Sequence, residues 1–339
     1  MNSILRKYID EFKLGHPVDA AEAESFLDAL INETDESVLA SVLVEWNKKG
    51  IEEGEIYELA RVLRSRMKRV NSRHEIFVDI VGTGGSKAKT FNVSTAAAFV
   101  VAGAGIPVAK HGNKAATSNS GSSDVLAELG INPAIDPETA ERCLNEIGIC
   151  FMFAPNHHRL SPTLAKVRRG LGFPTIFNCV GPLCNPASAP HQLIGVWDEA
   201  LVPKIGNALA RLGTTRSWIV GGNGLDEISL EATTLVAEIV SSDVTLTGTS
   251  PAQFGVESFL IESFRCADAV ASSAMVRKVL NGEASETPAE NIVALNAAVA
   301  IVLARPTMTN IESLEAARES IRSGSARRKL EELALAIPG

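Results

Sequence analysis

The sequence predicts an α/β protein with a small all-helical region in front of it. Apolar residues recur at helical spacing through residues 1–72, with no strand-like run between them. From about residue 75, short apolar runs alternate with helical segments, which predicts a mostly parallel central sheet flanked by helices. We therefore expect a helical domain over 1–72, joined by part of residues 160–190, and an α/β domain over 73–339.

Four amphipathic helices are expected in the first domain. The first carries Ile4, Leu5 and Phe12, the second begins at residues 17–19, the third spans 35–49, and the fourth carries the apolar residues of 56–67. Gly50 is expected to end the third helix. Their apolar faces exceed what one small bundle can bury, so we expect a homodimer that uses them.

Strands and helices are expected to alternate in the second domain. Strands are predicted at 76–80, 106–109, 150–153, 193–197 and 217–220, followed by an antiparallel section at 233–240 and 244–247. Helices are predicted at 96–104, 123–129, 137–147, 162–169, 199–212, 266–281, 289–304 and 310–335, with Asp136 and Ser161 as N-caps.

Composition excludes several classes of protein. The 339 residues are 45% hydrophobic and 21% charged, as in an ordinary globular protein. The formal charge of −8 argues against general binding to nucleic acid, which needs a basic surface. There is no signal peptide pattern and no apolar run of membrane-spanning length. Five cysteines without metal-type spacing predict reduced thiols in a cytoplasmic protein.

A glycine loop lies between a predicted strand and helix at residues 78–95. Gly82, Gly84 and Gly85 allow backbone N–H groups to approach an anion, and the helix N-terminus adds further donors. The loop fits a phosphate cradle, but it fits equally well a turn that needs glycine only for its backbone angles. Lys87 stands where a dinucleotide-binding fingerprint has its third glycine, and the Gly-Lys-Ser/Thr ending of a nucleotide-binding P-loop is absent.

Two further polar clusters follow predicted strands. Residues 110–114 read Lys-His-Gly-Asn-Lys and precede a serine-rich stretch, which suits an anionic ligand or else is a solvated loop. Asp226 and Glu227 lie beside glycines and suit Mg²⁺, although such a pair is usually surface charge. His157 and His158 have no third metal ligand at a suitable spacing, so we interpret them as pocket wall or surface.

No pairing of a nucleophile with a base is recognisable, and no cysteine has a catalytic setting. Phosphoribosyl transfer needs neither. Mg²⁺ and hydrogen-bond donors can stabilise the leaving pyrophosphate while a neutral amine attacks an oxocarbenium-like ribose.

Together these segments closely resemble the anthranilate phosphoribosyltransferase family of tryptophan biosynthesis. The resemblance covers nearly the whole chain, and the matching motifs occur in order: Asp79-x-x-Gly-Thr-Gly-Gly85, Thr90-Phe-Asn-x-Ser-Thr95, Lys110-His-Gly-Asn113, Ser120-Gly-Ser-x-Asp-Val-Leu126, Phe153-Ala-Pro155, Thr175-Ile-Phe-Asn178, Gly181-Pro-Leu183 with Asn185-Pro186, and Gly224-Leu-Asp-Glu227.

The resemblance implies a nucleoside-phosphorylase-like fold, a homodimer joined through the N-terminal helices, and transfer of the phosphoribosyl group of phosphoribosyl pyrophosphate (PRPP) to the amine of anthranilate. It implies that Mg²⁺ is bound by Ser94, Asp226 and Glu227, and that anthranilate is held by Gly82, Asn113 and Arg168. The PRPP-binding residues that it implies are Gly82, Gly85, Ser86, Thr90, Asn92, Val93, Ser94, Thr95, Lys110, Ser118 and Ser122.

The chain departs from the family pattern at several positions. Ser86 replaces an aspartate that usually follows the paired glycines, which bears on the magnesium site. Arg159 and Leu160 replace proline and alanine, Pro174 replaces an arginine, and Cys184 takes a position that is often threonine. These departures leave transfer to another aromatic amine as the first alternative. A pyrimidine nucleoside phosphorylase is opposed by the Lys-His-Gly-Asn and Asp-Glu motifs, and a non-catalytic, nucleic-acid-binding relative of the fold by the acidic charge and the intact glycine loop.

Overall fold

The protein begins with four helices. The computed structural model describes residues 2–86, 88, 90–114 and 121–339. Its first elements are α1 (Ser3–Lys13), α2 (Ala23–Asn32), α3 (Glu36–Lys49) and α4 (Glu53–Arg66). As predicted, Gly50 ends α3, with a φ of 92°, and the Asp35 side chain caps the start of this helix. The predicted start of α2 at residues 17–19 was wrong, because these residues lie before a turn at 20–22, and the Val18 N–H donates to the buried Glu55 carboxylate.

A seven-stranded sheet forms the centre of the rest of the chain. The strands are β1 (Val78–Gly82), β2 (Val108–Gly112), β3 (Ile149–Phe153), β4 (His191–Gly195), β5 (Arg216–Gly221), β6 (Thr234–Val240) and β7 (Asp243–Thr249). Their spatial order is β3-β2-β1-β4-β5-β6-β7. The first five run parallel, while β6 and β7 are antiparallel additions at one edge. The predicted α/β class is confirmed.

Helices cover both faces of this sheet. They are α5 (Val93–Gly103), α6 (Ser122–Glu128), α7 (Pro137–Glu146), α8 (Ala154–His157), α9 (Pro162–Gly170), α10 (Ile176–Leu183), α11 (Val202–Leu212), α12 (Ala269–Leu280), α13 (Pro288–Ala304), α14 (Asn310–Arg322) and α15 (Ser325–Ala336). The sequence did not predict α8 or α10, and it predicted α14 and α15 as one helix. None of the helices in the described ranges is long and apolar enough to cross a membrane.

Two apolar cores lie on opposite faces of the sheet. One surrounds α5 and α13. The other combines α1–α4 with α9, α10, α11 and the second sheet face. Large residues of the first helices, including Phe12, Phe26 and Trp46, are buried inside this second core. The apolar faces that seemed too large for one bundle are therefore largely buried within the chain.

Candidate active site

A cleft of about 530 Å³ opens at the carboxyl ends of the parallel strands, where open α/β sheets bind ligands. Most of the predicted site residues line it: Gly82, Gly85, Ser86, Thr90, Asn92, Ser94, Lys110, Asn113, Ser122, Arg168, Asp226 and Glu227. Val93 and Thr95 are fully buried in α5, and their side chains do not line the cleft. Ser118 lies outside the described residues.

The glycine loop after β1 is fixed by contacts that leave its inner side open to a ligand. Gly84 and Gly85 have φ angles of 66° and 93°, which favour glycine over other residues. Both the backbone N–H and the hydroxyl of Thr83 donate to the Gly195 carbonyl, at 2.9 and 3.1 Å. Asn178 on α10 donates to the Thr83 carbonyl at 3.0 Å. This loop can therefore cradle an anion without rearranging its own hydrogen bonds.

Lys110 supplies a buried positive charge below that loop. Its ammonium group donates to the Ile80 carbonyl and to the Ser94 hydroxyl, the latter at 3.2 Å. The Asp79 carboxylate is fully buried and accepts from Asn185 Nδ2 at 2.7 Å and from the His111 N–H at 3.2 Å. Burial raises the pKa of Asp79 to about 6, while the charge of Lys110 opposes that rise.

Burial also determines the protonation of Lys110. It lowers the pKa of Lys110 to about 8, although the carboxylates of Asp79, Glu227 and Asp226 act in the opposite direction. Lys110 is therefore charged at neutral pH, and it can stabilise an anion bound between the glycine loop and α5.

Asp226 and Glu227 face this phosphate-binding side of the cleft. The Gly84 N–H donates to Asp226 Oδ2 at 3.1 Å, so one acidic side chain contacts the glycine loop directly. Glu227 Oε2 is buried and has no hydrogen-bond partner among the described residues. Burial raises the pKa of both carboxyl groups, and the charge of Asp226 adds to the rise at Glu227. Two partly buried acids that form no ion pair with the described residues suit a cation.

Glycines make room for the acidic pair. A Cβ atom on Gly195, at the end of β4, would lie 1.5 Å from the Asp226 carbonyl oxygen. One on Gly82 would lie 2.5 Å from Asp226 Oδ2. A larger residue at Gly195 would displace the backbone of the acidic segment, and one at Gly82 would push the Asp226 carboxylate aside.

The acidic pair fits Mg²⁺ only if the ligand completes the coordination. The described residues contain no group of three or more histidine, cysteine or acidic side chains arranged to hold a metal. Mg²⁺ commonly binds through one or two carboxylates together with substrate phosphates and water. The donor set found here, two acids beside a phosphate-type loop, matches that mode.

The first turn of α5 is held by a residue that the sequence did not point to. Ser272, fully buried on α12, accepts from the Asn92 N–H and donates to Asn92 Oδ1, both at 2.9 Å. The two contacts fix the orientation of the Asn92 amide at the cleft wall. No local motif marks Ser272, because it lies 180 residues away in the chain.

The other end of the cleft is mainly apolar and carries Arg168. The Arg168 guanidinium lies 5.0 Å from the centre of the Phe177 ring, and its buried Nε has no hydrogen-bond partner within the described part of the chain. Burial lowers the pKa of Arg168 to about 10, so it stays charged at neutral pH. Such a guanidinium suits a planar carboxylate. Leu160 and Cys184 line the cleft, whereas Arg159 is exposed outside it.

The histidines form part of the wall of the cleft. His111 and His158 line it, with their Nε2 atoms 3.3 Å apart, whereas His157 is buried behind it. Burial lowers the pKa of His158 to about 4 and that of His111 well below its ordinary value. One neutral ring can donate to the other, so the pair is a fixed neutral surface at physiological pH.

Comparison with known proteins gives a consistent result. A sequence model described as "Glycosyl transferase family, a/b domain" matches residues 74–327. An anthranilate phosphoribosyltransferase from Pelotomaculum thermopropionicum is 44% identical over 296 residues, covering 87% of this chain and 85% of that protein.

Solved structures agree over almost the full length. The anthranilate phosphoribosyltransferase of Thermus thermophilus is 33% identical, with a TM-score of 0.87 over 97% of this chain and 98% of that one. The enzyme of Saccharomyces cerevisiae in complex with PRPP and Mg is 27% identical, with a TM-score of 0.89 over 99% and 98%. A further structure of the yeast enzyme, in complex with 4-fluoroanthranilate, is 25% identical, with a TM-score of 0.86 over 98% and 97%.

Proposed function

We propose roles for the residues of the cleft from one premise: the chain belongs to the anthranilate phosphoribosyltransferase family. It is an enzyme that transfers the phosphoribosyl group of PRPP to the amine of anthranilate, giving N-(5-phosphoribosyl)anthranilate and pyrophosphate. The observation that supports our assignment best is the direct contact between the glycine loop and the acidic pair, the Gly84 N–H to Asp226 bond.

The glycine loop and the start of α5 bind PRPP in this proposal. Gly82, Gly85 and Ser86 supply backbone or hydroxyl donors on one side, and Thr90, Asn92, Ser94 and Ser122 supply them on the other, with the N-terminal end of α5 favouring negative charge. Val93 and Thr95 contribute through their position in the first turn of α5. Lys110 provides the buried positive charge. Ser118 remains part of the prediction.

Asp226 and Glu227 hold Mg²⁺ together with PRPP. The unpartnered Glu227 Oε2 and the contact between Asp226 and the glycine loop support this assignment, and the family includes a yeast enzyme bound to PRPP and Mg. When bound, Mg²⁺ neutralises charge on the departing pyrophosphate. Ser94 is the third proposed metal contact, and its hydroxyl already accepts from Lys110.

Arg168 and Asn113 orient anthranilate. A guanidinium can bind the anthranilate carboxylate at two points, and the Phe177 ring and Leu160 supply apolar surface for the aromatic ring. The anthranilate nitrogen forms a bond to the ribose carbon as the bond from that carbon to pyrophosphate breaks, and the positively charged nitrogen then releases a proton to water. The aromatic amine of anthranilate is unprotonated at neutral pH and so keeps its nucleophilic lone pair, and the neutral His111 and His158 add no positive charge to the cleft.

We also propose that the enzyme is a cytoplasmic homodimer that associates through α1–α4. Its five cysteines are free thiols, which suits a reducing compartment. Exposed Leu14 and the partly exposed Ile9 and Ile31 remain on these helices after the second core has formed. Light scattering at micromolar concentration should report twice the chain mass, and a purely monomeric sample would refute the dimer.

The acceptor assignment is tested by Arg168→Ala with two amines. Removing one partner of a desolvated, charged hydrogen bond costs roughly 2–5 kcal/mol. Arg168→Ala should therefore lower kcat/KM for anthranilate by orders of magnitude and change the apparent constant for PRPP little. Aniline lacks the carboxylate, so it should be a poor substrate whose rate the substitution hardly affects.

Arg159→Ala is the matched control, because Arg159 lies nearby in the chain but is exposed outside the cleft. It should leave both amines unaffected. An equal loss for anthranilate and aniline in Arg168→Ala would make Arg168 structural. A wild-type enzyme that ignored anthranilate and released pyrophosphate with another aromatic amine would favour the alternative acceptor.

A further inference from the structure

Asn296 is a buried polar side chain on α13, in the stretch 292–304 where every other residue is apolar. It lies on α13, between Leu295 and Ala297, and only 2% of it is exposed. Buried amides are retained where their hydrogen bonds are satisfied, so the partners of Asn296 indicate what it does.

Those partners are the backbone of the residue after the acidic pair. Asn296 Oδ1 accepts from the Ile228 N–H at 2.9 Å, and Asn296 Nδ2 donates to the Ile228 carbonyl at 3.2 Å. A third bond, from Nδ2 to the Ile292 carbonyl at 2.9 Å, anchors the amide to its own helix. The side chain thus pairs with both backbone groups of Ile228, as a neighbouring β-strand would.

This pairing occurs where regular structure is absent. Ile228 is fully buried and lies in the irregular segment between β5 and β6, directly after Glu227. Its N–H and carbonyl need partners away from water. Asn296 lies 68 residues further along the chain and supplies both.

We propose that Asn296 is the positioning residue of the acidic pair. This inference rests on the proposed role of Asp226 and Glu227 as magnesium ligands. The segment is held at both ends, by the glycine loop at Asp226 and by Asn296 at Ile228. Because a small cation tolerates little variation in the placement of its ligands, freeing one end should weaken metal binding even though both carboxylates remain.

Direct metal binding tests the proposal. Mn²⁺ is titrated into the full-length protein with PRPP present, and free Mn²⁺ is followed by its electron paramagnetic resonance signal. Asn296→Ala should raise the Mn²⁺ dissociation constant about 10–100-fold, the usual effect of removing a group that orients metal ligands. Hydrogen exchange in residues 222–231 should become faster in the same variant.

Asn291→Ala is the matched control. Asn291 lies on the same helix, is also buried, and accepts from Arg318 instead of contacting the acidic segment. It should leave the Mn²⁺ constant within about threefold of wild type, a range well below the effect expected of an orienting group. Asn296→Ala with wild-type Mn²⁺ affinity would overturn the proposal.

Asp226→Asn separates the two possible failures. If Asp226→Asn loses Mn²⁺ while Asn296→Ala keeps it, Asn296 is only a core residue and the magnesium assignment stands. If Asp226→Asn binds Mn²⁺ like wild type, the magnesium assignment fails and the inference fails with it.

Should Asn296→Ala not fold, Asn296→Asp keeps an acceptor for the Ile228 N–H. Its expected loss of affinity is intermediate, and full wild-type affinity in that variant would overturn the proposal.

Discussion

Lys110 is the residue whose environment makes the strongest prediction about pH. Burial brings its pKa down to about 8, and the charged form is the one that stabilises the bound anion. The charge is present below this pKa and lost above it. We expect kcat/KM for PRPP to be level through neutral pH and to fall about tenfold per unit well above pH 8.

This alkaline fall, or alkaline limb, is measured from steady-state rates between pH 6.5 and 10, with PRPP varied at saturating anthranilate. The limb of kcat should lie at higher pH than that of kcat/KM, because bound PRPP is an anion and favours the charged lysine. Lys110→Met should have low activity without the alkaline limb. A wild-type profile that stays flat to pH 10 would exclude the assigned role of Lys110.

Ser86 is the departure from the family pattern that lies nearest to the acidic pair. Its hydroxyl donates to the Gly224 carbonyl at 3.0 Å, which links the glycine loop to the segment carrying Asp226. Ser86→Asp replaces that link with a carboxylate, so the enzyme should need less Mg²⁺ for half-maximal rate and gain no new activity. Ser86→Ala removes this link, the bond accepted from the Ala88 N–H and the proposed hydroxyl contact to PRPP, so PRPP binding should weaken by about 0.5–1.5 kcal/mol for each hydrogen bond lost.

Magnesium titrations of wild type, Ser86→Ala and Ser86→Asp separate these effects. If all three curves overlay, position 86 is not part of the metal environment.

The site residues that the sequence predicted are those that have other polar residues or glycines next to them in the chain. The glycine loop, Lys110 and the acidic pair each stand within a short polar run that follows a strand, so local pattern was sufficient to select them. Ser272 and Asn296 act on residues 180 and 68 positions away in the chain, and neither belongs to a polar run that follows a strand. Only the three-dimensional contacts give them a role.

At the scale of elements, the end of β4 determines where the acidic segment can lie. The Gly195 carbonyl accepts both hydrogen bonds from Thr83. A Cβ atom added to Gly195 would lie 1.5 Å from the Asp226 carbonyl oxygen. Gly195→Ala should therefore push residues 222–228 out of place and lower kcat/KM by at least about 100-fold, since displacements of 1 Å can cost that much.

Gly54→Ala is a suitable control for this substitution, because nothing lies within 4 Å of the added Cβ and the residue is in α4, away from the cleft. It should leave kcat/KM unchanged. A fully active Gly195→Ala enzyme would show that the close packing of β4 against the acidic segment is not needed.

Element bounds followed the sequence where capping and periodicity agreed. Asp136 and Ser161 cap α7 and α9 as predicted, because each side chain accepts from a backbone N–H three residues on. The prediction failed at α10, which contains Pro182, and at the junction of α14 and α15, where Gly324 adopts a φ of 70°. Tertiary packing overrides local preference in α10, and glycine permits the break in the last pair.

At the scale of the whole molecule, the second core binds the first four helices to the sheet. Leu59 on α4, Phe177 on α10 and Ile194 on β4 belong to one apolar cluster. Residues on both sides of the boundary predicted near residue 72 therefore share one apolar core. Separate unfolding of residues 1–72 would expose one face of the sheet to water, which is unfavourable.

We therefore expect the two predicted domains to unfold together. In a Trp197→Phe/Trp218→Phe variant, Trp46 on α3 is the remaining tryptophan and reports on the helical region, while far-ultraviolet circular dichroism reports on the whole chain. The two urea transitions should coincide.

Leu59→Ala should shift both midpoints down together, with a loss of about 2–5 kcal/mol in the free energy of unfolding, because Leu59 is a buried leucine. The helices would be an independent folding unit if the Trp46 fluorescence transition preceded the loss of ellipticity, or if Leu59→Ala shifted the Trp46 transition alone. The shared core would then be a domain interface that opens before the sheet unfolds.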